Sequence, residues 1–141
     1  MICEYMICEF FGKIVPGKGR GKSLGFPTIN LRVRENLSIS YGVYAVRVDL
    51  KGILYFGAMH FGPILTFSEN TPSVEIHLLD FVDENLKNSS GILQEEVQVQ
   101  VYKKIRDTRK FESLRALSDQ IALDILEIRK YFVSREFLID R

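Results

Sequence analysis

The sequence predicts a mainly β protein, an antiparallel barrel or sandwich that carries one long C-terminal helix. Three observations support this. Apolar and polar residues alternate with a period of two through the middle of the chain. Short turns such as Lys51-Gly52 separate the alternating runs. From Leu114 onward the apolar spacing changes to three and four, the mark of an amphipathic helix.

Thr28 and Asn30 stand two apart at the start of an apparent strand after Pro27, so both side chains point to one face. Tyr44, Val46 and Val48 alternate with Val43, Ala45 and Arg47, which reads as a strand. Ile53 to Ala58 is a further apolar run beyond the Lys51-Gly52 turn. Val74 to Leu79 alternates again, with Glu75 and His77 on one side. Val97, Val99 and Val101 face one way, with Gln98, Gln100 and Tyr102 opposite. Short strands at this spacing build barrels or sandwiches. At the end, Leu114, Leu117, Ile121, Ile125, Ile128 and Phe132 form a helical stripe with Ser113 as its N-cap. The stripe is expected to cover the β structure rather than to bind a ligand.

A chain of 141 residues, 46% apolar and 26% charged, buries a core without disulfides or metals. One domain is expected over residues 1–141, its core at about 8–132, with a loose tail after about Phe132. Lys plus Arg is 19 and Asp plus Glu is 18, so no nucleic-acid partner is expected. Cys3 and Cys8 lack the partners that a zinc site or a disulfide framework needs. They read as two thiols of a reducing, cytoplasmic protein. No apolar run approaches the roughly 18 residues of a membrane span, and the N-terminus lacks the charged and apolar regions of a signal peptide. No membrane partner is expected, and the chain reads as a monomer. Met1-Ile2-Cys3-Glu4 recurs as Met6-Ile7-Cys8-Glu9, and no function is assigned to that repeat.

The segment from Gly17 to Asn30 carries the chemistry. Gly17, Gly19, Gly21 and Gly25 permit positive φ and let backbone N–H groups approach an anion closely. Gly21-Lys22-Ser23 matches the end of a Walker A loop, but Pro16 stands where that motif needs its first glycine. A β-like run after Pro27 also replaces the helix that a P-loop requires. The hydroxyl of Thr28 and the amide carbonyl of Asn30 are hard oxygen ligands, suited to Mg²⁺ with its phosphates and waters. Taken alone, the same residues also suit a solvated loop closed by a turn.

The run Gly17-Lys18-Gly19-Arg20-Gly21-Lys22-Ser23-Leu24-Gly25-Phe26-Pro27-Thr28-Ile29-Asn30 resembles the signature of the riboflavin kinase family. That family occurs alone in eukaryotes and as the C-terminal half of bacterial bifunctional FAD synthetases. Gly42-Val43-Tyr44-Ala45-Val46 and Val74-Glu75-Ile76-His77-Leu78-Leu79-Asp80-Phe81 are similar to two further family segments. Ile105-Arg106, Lys110-Phe111 and Ser113-Leu114 resemble a third. The Gly57 to Phe67 segment departs, with His60 for Asn, Ile64 for Arg and Leu65 for Pro, so no role is carried onto Ile64 or Leu65. The resemblance spans about Phe10 to Phe132.

The resemblance implies a closed six-stranded antiparallel Greek-key barrel with the C-terminal helix packed on it. It also implies ATP-dependent phosphorylation of riboflavin to FMN, with riboflavin and ATP as substrates and Mg²⁺ or another divalent cation as cofactor. Glu75 is then the catalytic base, with His77 placed to orient it. Thr28 and Asn30 hold the metal. Gly17, Gly19, Gly21, Lys22, Gly25, Pro27 and Thr28 contact the nucleotide. Arg106 and Phe111 contact the flavin, Arg106 having a surface ion pair as its alternative. No stretch resembles the adenylyltransferase half of the bifunctional enzymes, so the expected product is FMN. Two other readings stand beside this one. The first is a flavin- or nucleotide-binding module without catalysis. The second is an oligonucleotide-binding barrel, which the near-neutral charge disfavours.

Overall fold

A computed structural model describes residues 6–67, 71–81 and 91–135. The first copy of the Met-Ile-Cys-Glu repeat and residues 136–141 of the expected tail lie outside the described residues. Among the described residues six strands form: β1 (Cys8–Val15), β2 (Ile29–Arg32), β3 (Gly42–Leu50), β4 (Ile53–Gly62), β5 (Ser73–Leu78) and β6 (Glu96–Arg106). One helical turn, α1 (Arg20–Ser23), lies between β1 and β2, and α2 (Leu114–Val133) follows β6.

The strands close into an antiparallel barrel in the order β1-β2-β5-β4-β3-β6. Strands β3, β4 and β5 are successive neighbours, and β6 returns to lie beside β3. That is the four-strand order of a Greek key. Closure leaves no free sheet edge, and it brings β2 against β5 across the length of the fold.

The period of two is a consequence of that barrel. Phe10, Tyr44, Val46, Ile76 and Val99 point inward and are buried together. Their sequence neighbours point outward, where some are buried a second time. Ala45, Leu79 and Tyr102 form an outer cluster with Ile128, Tyr131 and Phe132 of α2. Phe132 stacks on Phe56 with ring centroids 4.0 Å apart. Full burial of side chains of this size is worth roughly 1.5–3 kcal/mol each, so the outer cluster holds α2 down. The capping residue is the expected one: Ser113 Oγ accepts from Ala116 N–H at 3.1 Å. Leu114 departs from the stripe and is exposed, whereas Leu117 and Ile128 are buried.

Candidate active site

The site forms across three strands. Asn30 on β2 lies directly opposite Glu75 on β5, and Glu75 lies opposite His60 on β4. Residues opposed in this way share a face, with Cβ atoms about 4.5–5.5 Å apart. Ile29, Leu31, Val74 and Ile76 fill the core, so Asn30, Glu75 and His60 stand on the outer face of the barrel. Glu75 is half-buried there. The Thr28 hydroxyl donates to Glu75 Oε1 at 3.4 Å, and the Ser73 hydroxyl donates to Oε2 at 3.4 Å. Both exceed the usual O–H···O distance of about 2.7–2.8 Å, so both are weak contacts. Thr28, Asn30 and Glu75 thus converge, although 47 positions separate the first from the last.

His77 shares the outer face with Glu75, but it does not orient the acid. Its ring Nδ1–H donates to the Pro27 carbonyl at 2.8 Å, and the ring meets Phe26 edge-on at 5.6 Å. His77 therefore anchors the segment that delivers Thr28. Burial holds its pKa below the ordinary 6.5, and the Pro27 carbonyl opposes that shift in part.

The glycine loop folds on itself. The Gly21 carbonyl accepts from Leu24 N–H at 3.1 Å and from Phe26 N–H at 2.7 Å. Gly19 (φ +70°) and Gly25 (φ +91°) flank this turn in the left-handed region. Gly17 packs face to face with Asn30: a Cβ built there would lie 1.8 Å from Asn30 Nδ2. From the far side, the Ser118 hydroxyl on α2 donates to the Leu24 carbonyl at 3.3 Å.

Two cavities meet at Glu75. One is an open groove of about 560 Å³, the more polar of the two, lined by Gly17, Lys18, Asn30, Thr71, Ser73 and Glu75 together with Val15, Pro16, Leu31, Pro72 and Val74. The other is a narrow apolar cavity of about 100 Å³ beneath α2. Its lining includes Gly21, Leu24, Phe26, Thr28, His60, Ile64, Glu75 and Arg106. Lys18 lines the open groove, whereas Lys22 is exposed and lines neither cavity. Sequence reasoning passed over Lys18, although it stands between two of the glycines.

Arg106 and Phe111 occupy different places. Arg106 lines the apolar cavity and is paired with Asp124 of α2, Nη2 to Oδ2 at 2.9 Å. Phe111 lines neither cavity. Its ring is buried beneath Arg106 and Arg109, with guanidinium carbons 5.4 and 4.4 Å from the centroid. Its N–H donates to Thr66 Oγ1 at 3.1 Å. Asp124 was missed because its position reads as polar on a helix; the available signal was its spacing of three from Ile121 and four from Ile128.

No group of three or more His, Cys, Asp or Glu side chains among the described residues is arranged to hold a metal. The oxygens of Thr28 and Asn30 still suit Mg²⁺, which takes few protein ligands and completes its shell with phosphates and water. No helix among the described residues is long and apolar enough to cross a membrane.

A family model described as riboflavin kinase matches residues 6–132. The chain is similar to the bifunctional riboflavin kinase/FMN adenylyltransferase of Bacillus subtilis (strain 168), at 34% identity over 125 residues, covering 86% of this chain and 37% of the relative. It is similar to the enzyme of that name from Haemophilus influenzae, at 34% identity over 127 residues, covering 89% of this chain and 39% of the relative. The chain therefore spans just over a third of the length of these relatives. Among solved structures it is similar to a riboflavin kinase from Trypanosoma brucei, with a TM-score of 0.52 and 25% identity, covering 92% of this chain and 79% of that one. It is also similar to a macrolide-efflux protein from Streptococcus pneumoniae, with a TM-score of 0.71 and 30% identity, covering 86% of this chain and 38% of that one.

Proposed function

The chain belongs to the riboflavin kinase family, and on that premise we propose that it transfers the γ-phosphoryl group of ATP to riboflavin, giving FMN and ADP. The observation that carries this reading is the convergence of Thr28, Asn30 and Glu75 where an open groove meets an apolar cavity. Glu75 accepts the proton of the terminal ribityl hydroxyl as that oxygen attacks the γ-phosphorus. The bond from phosphorus to the β–γ bridging oxygen breaks, and its electrons leave with ADP. Positioning and electrostatics supply most of the rate in such transfers.

Thr28 and Asn30 hold a divalent cation through a hydroxyl and an amide carbonyl, and that ion neutralises phosphate charge when bound. The groove with Gly17 and Lys18 takes the nucleotide, Lys18 supplying a positive charge. Pro27 contributes its carbonyl to His77, which fixes the approach to Thr28. The cavity under α2 takes the flavin ring. At about 100 Å³ it is below the roughly 300 Å³ of ordinary ligand pockets. Entry therefore requires the walls of the cavity to part.

Incubation with riboflavin, Mg²⁺ and ATP, followed by chromatography for FMN, tests the proposal. A parallel arm with CTP fixes the donor. FMN appearing with ATP is the expected result. Riboflavin binding without FMN under every donor and metal would instead support a binding module.

A further inference from the structure

We infer that Asp124 is a positioning residue for the flavin side of this site. With Gln120 it holds the Arg106 guanidinium so that two free N–H groups meet a carbonyl oxygen and the adjacent acceptor nitrogen of a bound isoalloxazine ring. The inference rests on the riboflavin kinase reading and adds to it a group that acts through Arg106.

Asp124 is 2% exposed and is the buried charged side chain among the described residues. It sits on the apolar stripe of α2, between Ile121 and Ile128. Arg106 Nε donates to Oδ1 at 2.9 Å and to Oδ2 at 3.0 Å, and Nη2 lies 2.9 Å from Oδ2. Gln120 Nε2 donates to Oδ1 at 2.9 Å. The carboxylate is thus gripped on both oxygens from two directions. The remaining guanidinium nitrogen, Nη1, donates to the Asp107 carbonyl at 3.2 Å, and the plane rests on Phe111. A guanidinium carries five N–H groups. These contacts use one on Nε, one on Nη2 and one on Nη1, which leaves one on each terminal nitrogen.

Stability alone does not account for this arrangement. Breaking a buried ion pair is costly, but replacing both partners with apolar groups of like volume is often neutral or stabilising. A pair kept solely for stability would be better built from the leucine and isoleucine that line the rest of the helix face. The pair instead lines the cavity that Leu24, Phe26, Ile64 and Leu117 make apolar. Apolar walls suit the faces of a tricyclic ring, and a fixed pair of donors suits a carbonyl oxygen of its pyrimidine ring together with the acceptor ring nitrogen beside it. Arg106 held in register by a carboxylate gives that recognition a direction, and a loose arginine would not.

The test uses the whole chain. Asp124→Asn keeps the shape but loses the charge that fixes the fork. Its KM for riboflavin, and its Kd read from flavin fluorescence, are expected to rise on the order of tenfold, the value of one charge-assisted contact. The kcat at saturating riboflavin and the KM for ATP should stay within about twofold of the parent. An unchanged riboflavin KM overturns the inference, as does an equal decline in all parameters together with the urea midpoint. The paired variant Arg106→Met with Asp124→Leu guards against misfolding. It should match the parent in urea and still bind riboflavin weakly. Parent-like riboflavin affinity in that stable variant also overturns the inference. If the parent chain itself neither binds riboflavin nor makes FMN, the functional reading beneath has failed, and this inference falls with it.

Discussion

Replacing Gly17 with alanine should separate stability from turnover. The built Cβ lies 1.8 Å from Asn30 Nδ2, 2.3 Å from Cγ and 2.8 Å from Oδ1. An ordinary contact begins near 3.4 Å, so the amide must retreat by about 1.6 Å. Gly17 is outside the positive-φ region, so the alanine backbone is unstrained. Rotating Asn30 off its well costs roughly 0.5–1.5 kcal/mol. The stiffer unfolded chain returns about 0.4–1 kcal/mol. Net stability should therefore change by less than about 1 kcal/mol in urea. Turnover is another matter, because a reacting group displaced by about 1 Å loses on the order of a hundredfold. FMN formation at saturating substrates measures this. The effects of Gly17→Ala and Asn30→Ala should also fail to add, since both remove the same oxygen. If Gly17→Ala keeps full kcat, or the double variant is worse by the product of the two, Asn30 is not the group the glycine protects.

Glu75→Gln should keep flavin binding and lose turnover by roughly 10²–10⁴-fold, the usual worth of a general base; unchanged turnover removes Glu75 from the mechanism. His77 is held below its ordinary 6.5 by burial, so the folded state resists its protonation. Its contribution to stability is complete above about pH 6.5 and is lost as pH falls through the lower folded value. Urea midpoints between pH 7.5 and 5 should therefore drop more steeply in the parent than in His77→Gln, and parallel curves would refute this. Ser113→Ala removes the bond to Ala116 N–H and should cost about 1 kcal/mol, seen as a Tm lower by a few degrees with kcat retained.

Much of the barrel was legible because each strand meets two different environments. Tyr44, Val46 and Val48 face the core, and Arg47 faces outward to Gln100. Strand β1 was less visible, since Phe10 and Phe11 are adjacent aromatics, one buried and the other 53% exposed. Turn α1 has no periodicity to read, being one turn held between glycines. The residue types of the site were legible in Thr28, Asn30 and Glu75. Their meeting was legible through the family resemblance and not through local pattern, because it depends on the register of β2 against β5. Asp124 shows the reverse case: a carboxylate on an apolar stripe is legible as an anomaly, but its partner Arg106 is known only from the fold.

The placement of the threonine–asparagine pair and the acid on separate strands has a consequence for biogenesis. Translation delivers Thr28 and Asn30 well before Glu75, and the two halves join only when β5 docks against β2. The proposed site is therefore assembled in a single step. A nascent chain that stops after β4 holds half of the proposed site, and FMN formation recovered during refolding should track the docking of β5 against β2.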